Sequence, residues 1–261
     1  MKLKLRLLFK LVLVIGSIAG SFVLTVMIYP VLGFIFNANK ARIYQGRSKQ
    51  AWFKGFSRAL NLHVTIDGAL PKHAVLMVGN HISWLDIVAI GQLLPGYFVA
   101  KNDILNWPVI GLIAQKAGTI FIRRGDKSHI MAIAEKIVWL LKQQSNIFIF
   151  PEGTTTVGDD VLNFHASLFQ PALLTKIPVQ PIAIQYSEGA KNVAPFVGDD
   201  AFVPHLLRML ALDKIDVTIT LLPLVATAGK TRQAVSAEAR ELIRQHIVAP
   251  HQISHAIKHS A

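Results

Sequence analysis

Two apolar patterns divide the chain. From Leu11 to Phe36 no residue is charged, and the 19 residues Leu11–Tyr29 would form a helix about 28 Å long, enough to cross the hydrocarbon core of a bilayer. Pro30 and Gly33 are expected to interrupt it. A second helical segment follows, with Trp52, Phe53, Phe56 and Leu60 at near-helical spacing between basic residues. Beyond residue 60, short runs rich in Val, Ile and Phe alternate with longer helical stretches. The runs predict strands at His63–Ile66, Val75–Val78, Tyr97–Ala100, Thr119–Ile122, Ile147–Phe150, Val179–Gln185 and Val217–Leu222. Helices are expected at Trp84–Leu94, Val109–Lys116, Ser128–Gln143, Ala166–Thr175, Phe202–Leu212 and Thr231–Val248. The closing "PHQISHAIKHSA" reads as a loose terminus, because its histidine spacing fits no familiar metal-ligand set.

Such alternation argues for an α/β fold: a mixed, largely parallel sheet flanked by helices. It divides the chain into an N-terminal hydrophobic helical membrane anchor, residues 1–60, and an α/β domain, residues 61–261. Charge sharpens this division. Of a net +12, residues 1–60 carry ten Lys and Arg and no acid, and the first carboxylate is Asp67. The remaining 17 basic and 15 acidic residues nearly cancel, which argues against a nucleic-acid partner, whose footprint would lie on the folded domain. The apolar run is too long for a cleaved leader, and basic charge resumes after it. Basic residues at both ends leave two arrangements open, a single span or a helix–turn–helix in one leaflet. Either places the domain on the cytoplasmic side of the inner membrane, against anionic lipid. The chain has no cysteine, so disulfides, thiolate metal sites and a cysteine nucleophile are excluded.

Sites in open α/β sheets gather where strands end, and three polar clusters stand there: Asn80–His81, Arg123–Arg124 and Glu152–Gly153. In "VGNHISWLDIVAI", Ser83 and Asp86 can be read as a helix-capping pair. The same spacing allows a dyad. Helical residues five apart lie about 140° off each other's face. His81 and Asp86 therefore meet only if His81 is in the loop and Asp86 in the first turn. The carboxylate would then fix the imidazole tautomer and leave the second nitrogen as a base. The two readings are compatible.

"NHISWLD" is similar to the Asn-His-x4-Asp signature of the glycerolipid acyltransferase family, the family of 1-acyl-sn-glycerol-3-phosphate (lysophosphatidic acid) acyltransferases. "GTIFIRR" (118–124), "FPEGTTT" (150–156) and "IPVQPIAI" (177–184) resemble that family's further motifs, in its order. Arg123 stands where relatives often carry an acid, and Gln180 at a usually apolar position. The resemblance implies acyl transfer from acyl-CoA or acyl carrier protein to the free hydroxyl of lysophosphatidic acid, giving phosphatidic acid. Lyso-ornithine lipid or another lysophospholipid is the alternative acceptor.

In that mechanism His81 is the general base and Asp86 orients it. Arg124, with Arg123 and Lys101, would hold the phosphate, although a surface arginine at a strand end is the plain alternative. Glu152 would serve the acceptor site, or else bind loop backbone donors with Gly153 permitting a tight turn. Thr154, with its neighbours, would donate to phosphate or cap the next segment. Pro181 is expected at a strand edge or beside the acyl groove. No metal or cofactor is called for, and no G-x-S-x-G elbow suggests an acyl-enzyme. A non-catalytic lipid-binding protein is the competing class, and it has no use for His81.

Overall fold

A computed structural model describes residues 2–123 and 127–258, without the side chains of residues 2–3, 127–130 and 249–258. The seven strands are β1 (Leu62–Asp67), β2 (Leu76–Gly79), β3 (Gly96–Lys101), β4 (Ile120–Ile122), β5 (Asn146–Ile149), β6 (Val179–Tyr186) and β7 (Ile215–Leu221), each within two residues of its expected bounds. They form one sheet in the order β1-β7-β6-β2-β5-β3-β4. Every neighbouring pair is parallel except β6 with β7. The continuous apolar runs of β2 and β6 lie buried in the middle, as strands covered on both faces must. The C-terminal ends of β2, β3, β4 and β5 therefore open on one side of the molecule.

The helices are α1 (Lys2–Phe22), α2 (Tyr29–Ile35), α3 (Ala38–Leu60), α4 (Leu85–Gly91), α5 (Ile110–Lys116), α6 (Lys127–Lys142), α7 (Gln170–Thr175), α8 (Glu188–Lys191), α9 (Phe202–Ala211) and α10 (Arg232–Lys258). The backbone of α10 runs to Lys258, so the expected loose tail is helical up to that point. No glycine stop follows Val248. A 3₁₀ turn, Ala166–Phe169, precedes α7 where one longer helix was expected.

Pro181 is also placed differently from the expectation. It lies in β6, an interior strand, rather than at an edge. The β6–β7 ladder starts at Ile182, so the N–H that proline lacks falls in a gap where β7 diverges. Gln180, buried at the same place, closes the gap: its Nε2 donates to Leu222 O at 2.6 Å and to Pro181 O at 3.0 Å.

Proline and glycine do not break the arm where expected. A π-helical stretch, Val23–Ile28, joins α1 to α2, with Tyr29 N–H reaching back to Leu24 O. This wider turn takes up Pro30 at the start of α2. The chain reverses instead at Phe36–Asn37, where the Asn37 side chain caps α3 by accepting from Lys40 N at 3.0 Å. The arm is a helical hairpin, closed by Trp52 Nε1 donating to Ser17 O at 2.9 Å and by Tyr29 OH against Gln45 O and Ser48 Oγ.

The hairpin is inside-out. The face of α1 toward the body carries Lys10, Ser21 and Thr25, all buried, together with Val14. Lys10 Nζ donates to Leu212 O at 2.7 Å, and Arg6 pairs with Asp213. The outer face is apolar and exposed: Leu5, Leu8, Phe9, Val12, Ile15, Met27 and Phe34, the last at 93%. By length and composition the stretch Lys4–Ile35 could cross a membrane.

Lys49, on α3, fastens the hairpin to the far end of the sheet. Its ammonium donates to Gly96 O and Ala117 O and lies 4.1 Å from the centre of the Tyr97 ring, with no carboxylate paired to it among the described residues. Burial lowers its pKa from 10.5 to about 8. The unfolded chain therefore holds this proton more tightly, and stability should rise as pH climbs from 8 towards 10. Thermal unfolding of the full chain across that window should show the rise, and Lys49→Met should flatten it. Parallel curves for the two proteins would contradict this.

Candidate active site

The catalytic-type cluster forms where β2 ends. Beyond Gly79 the ladder to β6 stops, and the buried Asn80 side chain continues it. Its Nδ2 donates to Ile184 O at 3.0 Å and its Oδ1 accepts from Ile184 N at 2.8 Å. This amide acts as a substitute peptide group, so residues 81–84 can leave the sheet at a fixed angle before α4 begins.

Asp86, in the first turn of α4, is fully buried. Its Oδ2 accepts from His81 Nδ1 at 2.8 Å, from Ile82 N at 2.7 Å and from Ser83 N at 2.9 Å. Its Oδ1 accepts from Tyr186 OH at 2.7 Å. A carboxylate only accepts, so the Nδ1 atom of His81 carries the proton and Nε2 is left basic. The expected serine cap does not form: α4 starts with no side-chain cap, and the buried Ser83 hydroxyl has no partner among the described residues. Instead the Asp86 carboxylate caps backwards onto Ile82 and Ser83 while it holds the imidazole. A buried carboxylate is tolerable only when its lone pairs are filled, and four donors fill these.

His81 is fixed on two more sides. Its ring stacks on Phe150, with centroids 3.9 Å apart and planes within 8°. Its backbone N–H donates to Glu152 Oε1 at 2.8 Å, and its carbonyl accepts from Thr156 N at 2.8 Å. The imidazole side chain stays 17% exposed while Asp86 is at zero. One basic nitrogen at the surface of an otherwise buried polar cluster can take a proton from an approaching hydroxyl.

Glu152 follows β5, and both of its oxygens are taken by backbone. Oε2 accepts from Leu162 N at 2.9 Å, as Oε1 does from His81. Burial raises its pKa above the ordinary carboxyl range, opposed by those two N–H groups. Gly153 turns the chain with φ at +67°, and its N–H donates to Phe150 O. Thr154 is exposed. Thr155 and Thr156 bind protein backbone, at Phe196 O and His81 O. Lys101 and Arg123 are exposed at the ends of the neighbouring strands β3 and β4, on the same side as His81. Arg124 lies outside the described residues. The structure thus joins His81, Asp86 and Glu152 directly and leaves Lys101 and Arg123 as cations on the rim.

Sequence reading missed Tyr186 and the stacking role of Phe150. Phe150 precedes "PEG" and could have been suspected as a wall. Nothing local marks Tyr186, because its partner lies 100 residues away. Glu152→Gln replaces one accepting oxygen with a donor that confronts an N–H. We expect about 1–3 kcal/mol of lost stability and roughly 10²-fold lower turnover through displacement of the His81 loop. Thermal unfolding and steady-state rates on one preparation check this, and an unaltered unfolding midpoint would contradict it.

Comparison with known proteins places the chain in a family. A family model described as Acyltransferase matches residues 61–185. The chain is 38% identical over 195 residues to a lyso-ornithine lipid O-acyltransferase of Pseudomonas aeruginosa, covering 74% of this chain and 75% of that protein. It is 32% identical over 205 residues to a 1-acyl-sn-glycerol-3-phosphate acyltransferase of Neisseria gonorrhoeae, covering 77% and 80%. The crystal structure of the 1-acyl-sn-glycerophosphate acyltransferase PlsC from Thermotoga maritima superposes with a TM-score of 0.67 at 20% identity, covering 93% of this chain and 96% of that one; at that identity the likeness shows a shared fold. With the sheet, the His81–Asp86 pair and these relatives together, the chain belongs to the acyltransferase family that contains the lysophosphatidic acid and lyso-ornithine lipid acyltransferases.

Proposed function

We propose that the chain moves a fatty acyl group from acyl-CoA or acyl carrier protein directly onto the free hydroxyl of a lysolipid. The observation that carries this reading is the Nδ1–H of His81 held by buried Asp86, which leaves Nε2 to take the hydroxyl proton as oxygen attacks the thioester carbonyl. The C–S bond then breaks, and the imidazolium gives that proton to the departing sulfur, leaving the ester and the free thiol. The acceptor presents a carboxylate or a phosphate, to be met by Lys101, Arg123 and Arg124. The 38% identity to the Pseudomonas aeruginosa protein makes lyso-ornithine lipid the first acceptor to test. Lysophosphatidic acid, favoured by the paired arginines, is the second reading, and the Neisseria relatives support it.

The reaction takes place at a leaflet surface. Hydrogen bonds hold the first half of the hairpin, from Arg6 in α1 to Tyr29 in α2, to the body and to α3. A spanning orientation would carry exposed Arg47 and Lys54 of α3 into hydrocarbon. The hairpin is therefore read as lying in one leaflet with its apolar face down, on the cytoplasmic side of the inner membrane.

Purified full-length protein, labelled acyl-CoA and a panel of both acceptors test the chemistry. His81→Ala should lower the rate by roughly 10³-fold and leave vesicle binding intact, and a rate near wild type would remove the base. For the arm, the absence of native cysteine allows single labels. An environment-sensitive dye on Phe9→Cys should shift to the blue on anionic vesicles, and one on Lys230→Cys should not. Equal responses at the two positions would contradict the leaflet placement.

A further inference from the structure

Asp86 divides its work unequally between its two oxygens. Oδ2 meets His81 and the backbone of Ile82 and Ser83, all from its own loop. Oδ1 has one donor among the described residues, the hydroxyl of Tyr186 at 2.7 Å. Tyr186 is the last residue of β6, two beyond the residue gripped by Asn80 and paired in register with Val217 of β7. One strand thus fixes both the exit of the histidine loop and the rear of the carboxylate.

We propose that Tyr186 is a positioning residue for acyl transfer: its hydroxyl locks the rotation of the Asp86 carboxylate and sets how strongly that carboxylate draws on the His81 proton. The terminal torsion of an aspartate is broad and nearly two-fold, so three donors on Oδ2 define a direction only if Oδ1 is also held. A donor on Oδ1 withdraws charge from the carboxylate, which keeps the shared proton on Nδ1 and leaves the Nε2 lone pair free to accept another. The phenol serves as a constant donor. Burial, and then the neighbouring Asp86 charge, push its pKa well above the ordinary tyrosine range, so it stays protonated wherever the enzyme is assayed. The charged and titratable groups around the pair are His81, Glu152 and Tyr186 itself. Glu152 is spent on backbone donors, so the phenol is the tuning group.

This inference rests on His81 acting as the base, and the experiment separates the two. Tyr186→Phe keeps the ring that packs in the core and removes only the hydroxyl. Its kcat should fall by roughly tenfold with KM within about twofold of wild type. The acid limb of the kcat/KM profile should move to higher pH, because an under-satisfied carboxylate holds the imidazolium proton more tightly. Tyr186→Phe leaves Oδ1 of the buried carboxylate without its donor and should lower the unfolding midpoint, and Tyr186→Ala, which also opens a cavity, should lower it further. If Tyr186→Phe leaves kcat and the acid limb unchanged while His81→Ala is inactive, Tyr186 only fills space and the proposal fails alone. If His81→Ala is active, the base reading fails and takes the proposal with it.

Discussion

A carboxylate with no exposure to water is the constraint on which this structure turns. Asp86 can stay ionised only if the fold supplies donors in place of solvent, and it takes them from three sources: the loop after β2, the imidazole of His81 and the end of β6. Those demands fix much else. Residues 81–83 must wrap the carboxylate, so α4 begins without a serine cap. β6 must lie beside β2, and the parallel ladder with the Asn80 bridge holds it there. Removing any one donor leaves the remaining charge in a medium that does not screen it.

The same loop is supported from outside by two further segments, whose backbone N–H groups hold its carbonyls. Thr156 N holds the His81 carbonyl, and Phe196 N holds that of Ile82. Glu152 fixes the His81 N–H and ties it to the 160s loop at Leu162. The imidazole is therefore borne by a rigid frame, at the same end of the parallel sheet where Lys101 and Arg123 end their strands. Beside this frame the first half of the arm buries Lys10, Ser21 and Thr25 and turns Leu5, Leu8, Phe9 and Phe34 outward. An aqueous surface penalises that arrangement and a lipid one rewards it.

The strands were legible because burial on both faces leaves continuous runs of β-branched residues between turn signals, as in "VLMVG" and "NIFIF". The spacing of His81 and Asp86 allowed a contact without requiring it, and the resemblance of "NHISWLD" to a family motif singled the pair out. Other features depended on contacts that local pattern does not carry. Pro30 reads as a break, yet the π-helical turn before it absorbs the missing donor. Ser83 reads as a cap, yet Asp86 takes over the capping while bound to histidine. Pro181 reads as an edge residue because proline is excluded from regular ladders, but a divergence of β7 and one glutamine side chain make room for it in the interior. Tyr186 could be found only once β6 was placed against β2, a pairing set by crossovers rather than by local sequence.

The account depends on where one proton lies. Nitrogen-15 spectra of selectively labelled histidine would show it directly, using His81→Gln to assign the signal. The structure predicts that in the resting protein near neutral pH the His81 ring carries its proton on Nδ1, with Nε2 bare, and that this preference is lost in Asp86→Asn. A ring protonated on Nε2 instead, or one indifferent to the Asp86 change, would contradict the claim that a buried carboxylate prepares this histidine to act as a base.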